Sequence, residues 1–218
     1  MIKTHHWLPI PTLLKKLESL IYPDWKVLEL GPGATPFSKA THFCGWEVGD
    51  NKLNARGEQC DFNKDKLPYK NKEFDFIYCR HVLEDLWNPF NIIPEIVRVG
   101  KAGWIETPSP IAELCKYVNG EDAPFRGYHH HHWIVWNDTK KLNFLHKYSA
   151  FEWGKYPDKE LYKLLEDPFN WNTYLLWSDS FEFNHYQIGI NCESYDQIIT
   201  QALRDSERKE LFIKHLSF

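Results

Sequence analysis

The chain has 218 residues, 43% of them apolar and 16% aromatic, with a formal net charge of −4. That length and apolar content suit one α/β domain with a modest insertion. Acids outnumber bases and no long basic run occurs, which excludes a general nucleic-acid binder, and no run of about 20 apolar residues exists that could span a membrane.

In chain order, Leu13, Leu14, Leu17, Leu20 and Ile21 fall at helical spacing, so the pattern predicts an amphipathic helix over residues 11–21, ended by Pro23-Asp24. Lys26-Val27-Leu28-Glu29-Leu30 reads as a short buried strand, and Gly31-Pro32-Gly33-Ala34 as a tight turn. Thr35 can cap a following helix, with Pro36 at its first position, where a missing N–H costs nothing. Trp46 to Asp50 reads as a second strand, Gln59 to Phe62 as a short third and Phe74 to Cys79 as a fourth. Pro89 to Val99 is predicted helical, and Gly103 to Thr107 is a fifth strand. This alternation implies right-handed βαβ units and a parallel sheet.

The second half changes character. Trp133-Ile134-Val135-Trp136 and Leu142-Asn143-Phe144-Leu145 flank Asn137-Asp138-Thr139-Lys140, a hairpin signal. Residues 174–190 are aromatic and read as extended. Ser194 with Gln197 forms a capping box for a helix running to about residue 216. The whole is read as one domain over 1–218, with a cofactor half at about 11–110. An acceptor-binding insertion at about 111–150 is expected over the carboxyl ends of the strands, where open α/β sheets bind ligands. Five cysteines without C-x-x-C spacing read as free thiols of a reducing compartment. With no apolar leader segment at the N-terminus, the expected location is cytoplasmic.

A glycine turn between a strand and a helix lets backbone approach a ligand closely. One candidate is a nicotinamide dinucleotide, bound by G-x-G-x-x-G; here Pro36 stands at the third glycine position, where its ring hinders close helix–strand packing. The other follows from four features taken in order. Glu29-Leu30-Gly31-Pro32-Gly33 resembles the E-x-G-x-G motif of class I S-adenosylmethionine-dependent methyltransferases, with Asp50 standing 21 residues after Glu29. Asp61-Phe62, Leu67-Pro68-Tyr69 and Phe74-Asp75-Phe76-Ile77 resemble the family's D-x…L-P-F…F-D-x-V stretch. His81-Val82-Leu83-Glu84-Asp85-Leu86 is similar to its H-V-L-E-H segment, and Arg98 to Gly103 to its run into the fifth strand.

The resemblance implies a Rossmann-like α/β fold with a mostly parallel seven-stranded sheet and helices on both faces. It also implies S-adenosylmethionine as cofactor and S-adenosylhomocysteine as product. Gly31 and Gly33 would pack against the methionine part, and Glu29 would serve its ammonium group. Asp50 would accept the ribose hydroxyls and Asp61 the adenine amino group, with Phe62 beside the ring. Thr35 stands where the family often has a third glycine. His81 is a catalytic candidate, and it and Glu84 read either as substrate contacts or as capping and wall residues.

On the acceptor side, Phe125-Arg126-Gly127-Tyr128-His129-His130-His131-His132-Trp133 is the most unusual segment. Placed before a strand, the four consecutive histidines alternate between faces, so at most two share one side. Three readings stand: a general base, a metal pair, or part-exposed polar residues. No Cys/His spacing supports zinc, and Glu84, Asp85 and Glu106 are the carboxylates available to magnesium. His130 and His131 are the base candidates, with Trp133 as a sugar platform, because indole offers a flat apolar face. Ile105 to Ser109 followed by Gly127 to Trp133 resembles methyltransferase-like proteins encoded among polysaccharide genes, and glycan-decorating enzymes of large DNA viruses. That resemblance implies O-methylation of a sugar hydroxyl in a glycan. Small-molecule or protein methyl acceptors, a nicotinamide oxidoreductase and a catalytically inactive binding protein are the alternatives.

Overall fold

A computed structural model describes residues 8–46, 56–120, 122–138, 141–187 and 192–206. Their contacts divide the chain into two compact units, one built on Pro11–Glu106 with Leu175–Phe181, the other on Thr107–Tyr174 with Glu182–Tyr186 and Cys192–Ser206.

In the first unit, α1 (Pro11–Leu20) buries Leu13 and Leu17, the inward positions of its helical stripe. The strands β1 (Val27–Leu30), β2 (His42–Gly45), β3 (Arg56–Gln59), β4 (Phe74–Arg80) and β5 (Gly100–Pro108) follow, with α2 (Pro89–Val99) between β4 and β5. Together with β8 (Asn172–Ser178) they form a sheet of order β3-β2-β1-β4-β5-β8, and the first five pair in parallel. Every residue of β1 is buried, as a parallel strand covered on both faces requires. The apolar face of α2 is carried by Ile92, Ile93, Ile96 and Val99, and Pro89 sits in its first turn. Arg98, in its last turn, donates to the carbonyls of Leu67 and Tyr69 and pairs with Glu95, fixing the loop before β4. A Cβ at Gly103 would stand 2.8 Å from the Trp177 ring, so the absence of a side chain there lets Trp177 lie against β5.

The second unit holds α3 (Pro110–Leu114), the hairpin strands β6 (Trp133–Asn137) and β7 (Lys141–His146), α4 (Asp158–Leu164), β9 (Glu182–Tyr186) and α5 (Cys192–Ser206). β6 pairs antiparallel with β7, which pairs in parallel with β9. Ile111, Leu114, Ile134, Trp136, Phe151 and Ile199 form its core. The Trp136 indole donates to Asp205 of α5 at 3.1 Å, the partner that a buried indole N–H needs.

Several expectations are corrected. No helix follows the glycine turn: residues 31–41 form bends and one turn. The 11 residues between β1 and β2 are at the lower limit for a crossover that contains a helix. A strand is found at His42–Gly45, where Phe43 and Cys44 are fully buried; of the expected Trp46–Asp50 only Trp46 is described, 67% exposed and in a bend, and residues 47–50 lie outside the described residues. The third strand ends at Gln59, before Cys60 to Phe62. The sheet has six strands among the described residues, not seven. α5 begins at Cys192, so Ser194 lies within the helix and does not cap it. The histidines His129 and His130 sit in a turn, closed by the His131 N–H on the Tyr128 carbonyl, so they do not alternate along a strand.

Candidate active site

At the carboxyl edge of the parallel strands, Gly31 leaves β1 with φ +64°. Its N–H donates to the Cys44 carbonyl at 2.8 Å, and a Cβ there would stand 2.5 Å from Val82 Cγ2. A side chain is excluded twice over, by backbone hand and by space. Two residues on, Gly33 has nothing within 4 Å of where a Cβ would be, so its backbone is open to a ligand.

Behind this turn, Glu29 is 4% exposed. Its Oε2 accepts the Phe37 N–H at 2.8 Å, which ties the loop after the glycines back onto β1. Burial pushes its carboxyl up to about 7, against the opposing pull of the Phe37 hydrogen bond and the Arg80 charge. Phe37 stacks on Tyr78 of β4 at 4.3 Å, and Tyr78 lies in register with Glu29.

Arg80, the last residue of β4, donates through Nε to Glu106 Oε1 at 3.1 Å, while Glu106 Oε2 accepts the Trp104 indole at 3.2 Å. Both Glu106 oxygens thus receive N–H donors, an arrangement unlike that of a magnesium ligand. His81 follows with φ +52°, its N–H on the Glu106 carbonyl at 2.8 Å and its Nδ1 3.2 Å from Glu84 Oε1. A left-handed backbone on a non-glycine residue is uncommon, and such strain clusters at functional sites. Glu84 itself is 1% exposed.

Asp61 lies just past β3. Its Oδ1 accepts the backbone and side-chain N–H of Asn63 at 3.0 and 3.2 Å, an Asx turn, and Oδ2 faces Lys64 at 3.1 Å. The Asn63 backbone hydrogen bond, then Lys64, holds this carboxylate below its ordinary range. The Phe62 ring is buried, and its carbonyl accepts from Asn91 at 3.0 Å. Asp50, the predicted ribose acceptor, lies outside the described residues.

The histidine run belongs to the second unit. His131 is buried, its Nδ1 2.5 Å from Glu113 Oε1. Lys147 Nζ donates to Glu113 Oε2 at 2.8 Å and to the carbonyls of Arg126 and Tyr128 at 2.9 and 2.8 Å. Despite burial, which alone would raise it, Lys147 and His131 draw the Glu113 carboxyl down to about 2. Arg126 donates to the Leu114 carbonyl and to Asp158, each at 2.6 Å. Gly127, at φ +60°, packs directly on Glu113, whose Cα would be 2.8 Å from an added Cβ. His130 is exposed beside this cluster, with burial first and then His131 and His129 pushing its imidazole down to about 4.

Trp133 is also corrected as a platform: it is buried, with the rings of Phe144, His146 and His185 edge-on to it. Among the described residues, the exposed aromatic side chains of this unit are Tyr117, Tyr148, Trp153 and Phe183. Glu113 was missed in the sequence, although an acid inside the apolar run Pro-Ile-Ala-Glu-Leu is a signal of a buried partner. Arg80 carries no comparable signal.

Residues 38–105 match the methyltransferase domain family. No curated protein matches the chain. Among solved structures, the YcgJ protein from Bacillus subtilis is 18% identical, over 45% of this chain and 51% of that one, with a TM-score of 0.37. An S-adenosylmethionine-dependent methyltransferase from Mesorhizobium loti is 12% identical, over 61% and 62%, with a TM-score of 0.37. Coclaurine N-methyltransferase, bound to N-methylheliamine and S-adenosylhomocysteine, is 15% identical, over 45% and 35%, with a TM-score of 0.35. The chain spans about half the length of the first of these. The family match begins after the glycine turn, so Glu29, Gly31 and Gly33 stand on their motif and their geometry. Residues 38–105 are thus similar to the methyltransferase domain family, and they lie in a mostly parallel, Rossmann-like sheet.

Proposed function

We propose that the chain transfers a methyl group from S-adenosylmethionine to an acceptor hydroxyl, and that the acceptor is a sugar of a glycan. One observation carries the cofactor reading: a buried acid, Glu29, lies behind a turn whose Gly31 admits no side chain and whose Gly33 backbone is open. The fit is chemical as well as steric. Glu29 offers a carboxylate to an ammonium group, and the open glycine backbone admits the adjoining chain atoms. When bound, S-adenosylmethionine supplies a methyl group already activated on a sulfonium.

The residues of the chain do the rest by placement. Glu29 holds the amino-acid end, and an ammonium facing it favours its ionised form. Asp61 keeps a charged carboxylate at the strand edge, and Asp50 is assigned the ribose. His81, fixed by Glu84 and the Glu106 carbonyl, is a rigid wall residue. Holding the reactants in line supplies much of the rate, and a positioned base adds about 10²–10⁴-fold. His130 is assigned that base, because His131 is engaged with Glu113 while His130 is exposed and unprotonated at neutral pH. Tyr117, Tyr148 and Trp153 offer the flat faces on which sugars stack.

A nicotinamide dinucleotide is the weaker reading. Its pyrophosphate requires a helix N-terminus after the glycine turn, and residues 31–41 contain no helix. The amino-acid end of S-adenosylmethionine is zwitterionic and needs no such dipole. Calorimetric titration with S-adenosylhomocysteine and with NAD separates the two. Methyl transfer to a panel of glycans tests the acceptor, and a bound cofactor without turnover on any acceptor would favour a binding protein that lacks the chemistry.

A further inference from the structure

Arg80 ends β4 at the carboxyl edge of the first unit's sheet, with its guanidinium tethered through Nε. Strand alternation puts it on the same face as Tyr78, which is in register with Glu29, one step further toward the edge. Its Nε is held by Glu106 Oε1, and Trp104 holds the other Glu106 oxygen, so the fork is fixed in place. The side chain is 12% exposed. Its Nη2 is buried without a hydrogen-bond partner among the described residues. A buried donor left unsatisfied is costly, and native structures keep few of them.

A planar fork with a spare N–H edge is matched to a carboxylate. The neighbouring Glu29 is matched to an ammonium. The two side chains thus offer opposite charges to the two ends of one amino acid, next to a glycine turn open to backbone approach. Arg80 is also close enough for its charge to favour the ionised form of Glu29. We infer that Arg80 binds the α-carboxylate of the cofactor's methionine end, with Glu106 and Trp104 as the residues that position its guanidinium. This rests on the cofactor reading above and adds the group that distinguishes an amino-acid nucleoside from a simple one.

The test is binding rather than turnover, by calorimetry on the whole chain with three probes: S-adenosylhomocysteine, its decarboxylated analogue, and methylthioadenosine, which lacks the amino acid altogether. Wild type is expected to prefer S-adenosylhomocysteine to the decarboxylated analogue by at least about tenfold, the lower end for a hydrogen bond to a charged group. In Arg80→Gln that preference falls to about twofold or less, with the decarboxylated analogue bound as in wild type. Arg80→Lys, which keeps the charge and loses the fork, gives an intermediate preference, and carries the test if the Gln variant does not fold. An unchanged preference in either folded variant overturns the assignment. Failure of wild type to bind any of the three overturns the cofactor reading, and the assignment with it; binding of all three with equal affinity overturns the assignment alone.

Discussion

Replacing Glu29 with Gln removes an acid whose ionisation the fold opposes. Its carboxyl is raised from the ordinary 4.5 to about 7, chiefly by burial. A displacement of that size corresponds to about 3 kcal/mol, at about 1.36 kcal/mol per pKa unit. The direction follows from proton binding. Between 4.5 and about 7 the folded chain holds this proton and the unfolded chain has released it, so stability falls as pH rises through that window and levels off above it. Gln has the same shape, stays neutral, and keeps a carbonyl oxygen for the Phe37 N–H. Its stability therefore lacks this loss. Urea unfolding of both proteins from about pH 5 to about pH 8 should show the variant gaining about 2–3 kcal/mol relative to wild type across the range. Binding of S-adenosylhomocysteine should move the other way, weakening because the ammonium has lost its charged partner. Parallel stability curves would mean that Glu29 ionises freely in the folded state, and would refute the account of a buried acid waiting for a cation.

Gly31→Ala should lower stability by about 1–3 kcal/mol in thermal or urea unfolding, from the left-handed backbone and the Val82 contact together. Glu113→Gln leaves Lys147 and His131 buried without their counter-charge and should cost about 3–5 kcal/mol. In wild type the Glu113 contribution is present in full above its ordinary 4.5 and is lost as pH falls toward about 2, so the variant should show a shallower acid-unfolding curve by circular dichroism. His130→Ala should reduce turnover about 10²–10⁴-fold with cofactor affinity intact, whereas His131→Ala should act mainly on stability. The wild-type rate should be flat above about pH 5, with its lower limb near 4 where His130 gains a proton; a limb between 6 and 7 would assign the base elsewhere.

The sequence was most readable where local pattern and tertiary role agree. The apolar run of β4, the Pro89-led stripe of α2 and the hairpin of β6 and β7 all lie where periodicity and turn residues put them. The helix after the glycine turn failed because Thr35-Pro36 is only a local capping signal, and the crossover before His42 leaves little more than the minimum length for a helix. The histidine run misled for a related reason. Alternation presupposes extended backbone, and Gly127 at φ +60° with the turn at Tyr128–His131 breaks that premise. Glu29, Gly31 and Gly33 were legible because a motif is a local fact. Arg80 and Glu113 were not, because what defines them is their partners: Glu106 on the adjacent strand, and Lys147 at the far end of the hairpin. Tertiary pairing of charges leaves no spacing in one sequence.

The central claim is that the turn at Gly31–Gly33 and the acid behind it hold S-adenosylmethionine. Titration of the chain with S-adenosylhomocysteine by calorimetry, alongside NAD, tests it most directly. The account predicts saturable one-to-one binding of S-adenosylhomocysteine, weakened in Glu29→Gln, and no binding of NAD. Binding of NAD without S-adenosylhomocysteine would contradict it.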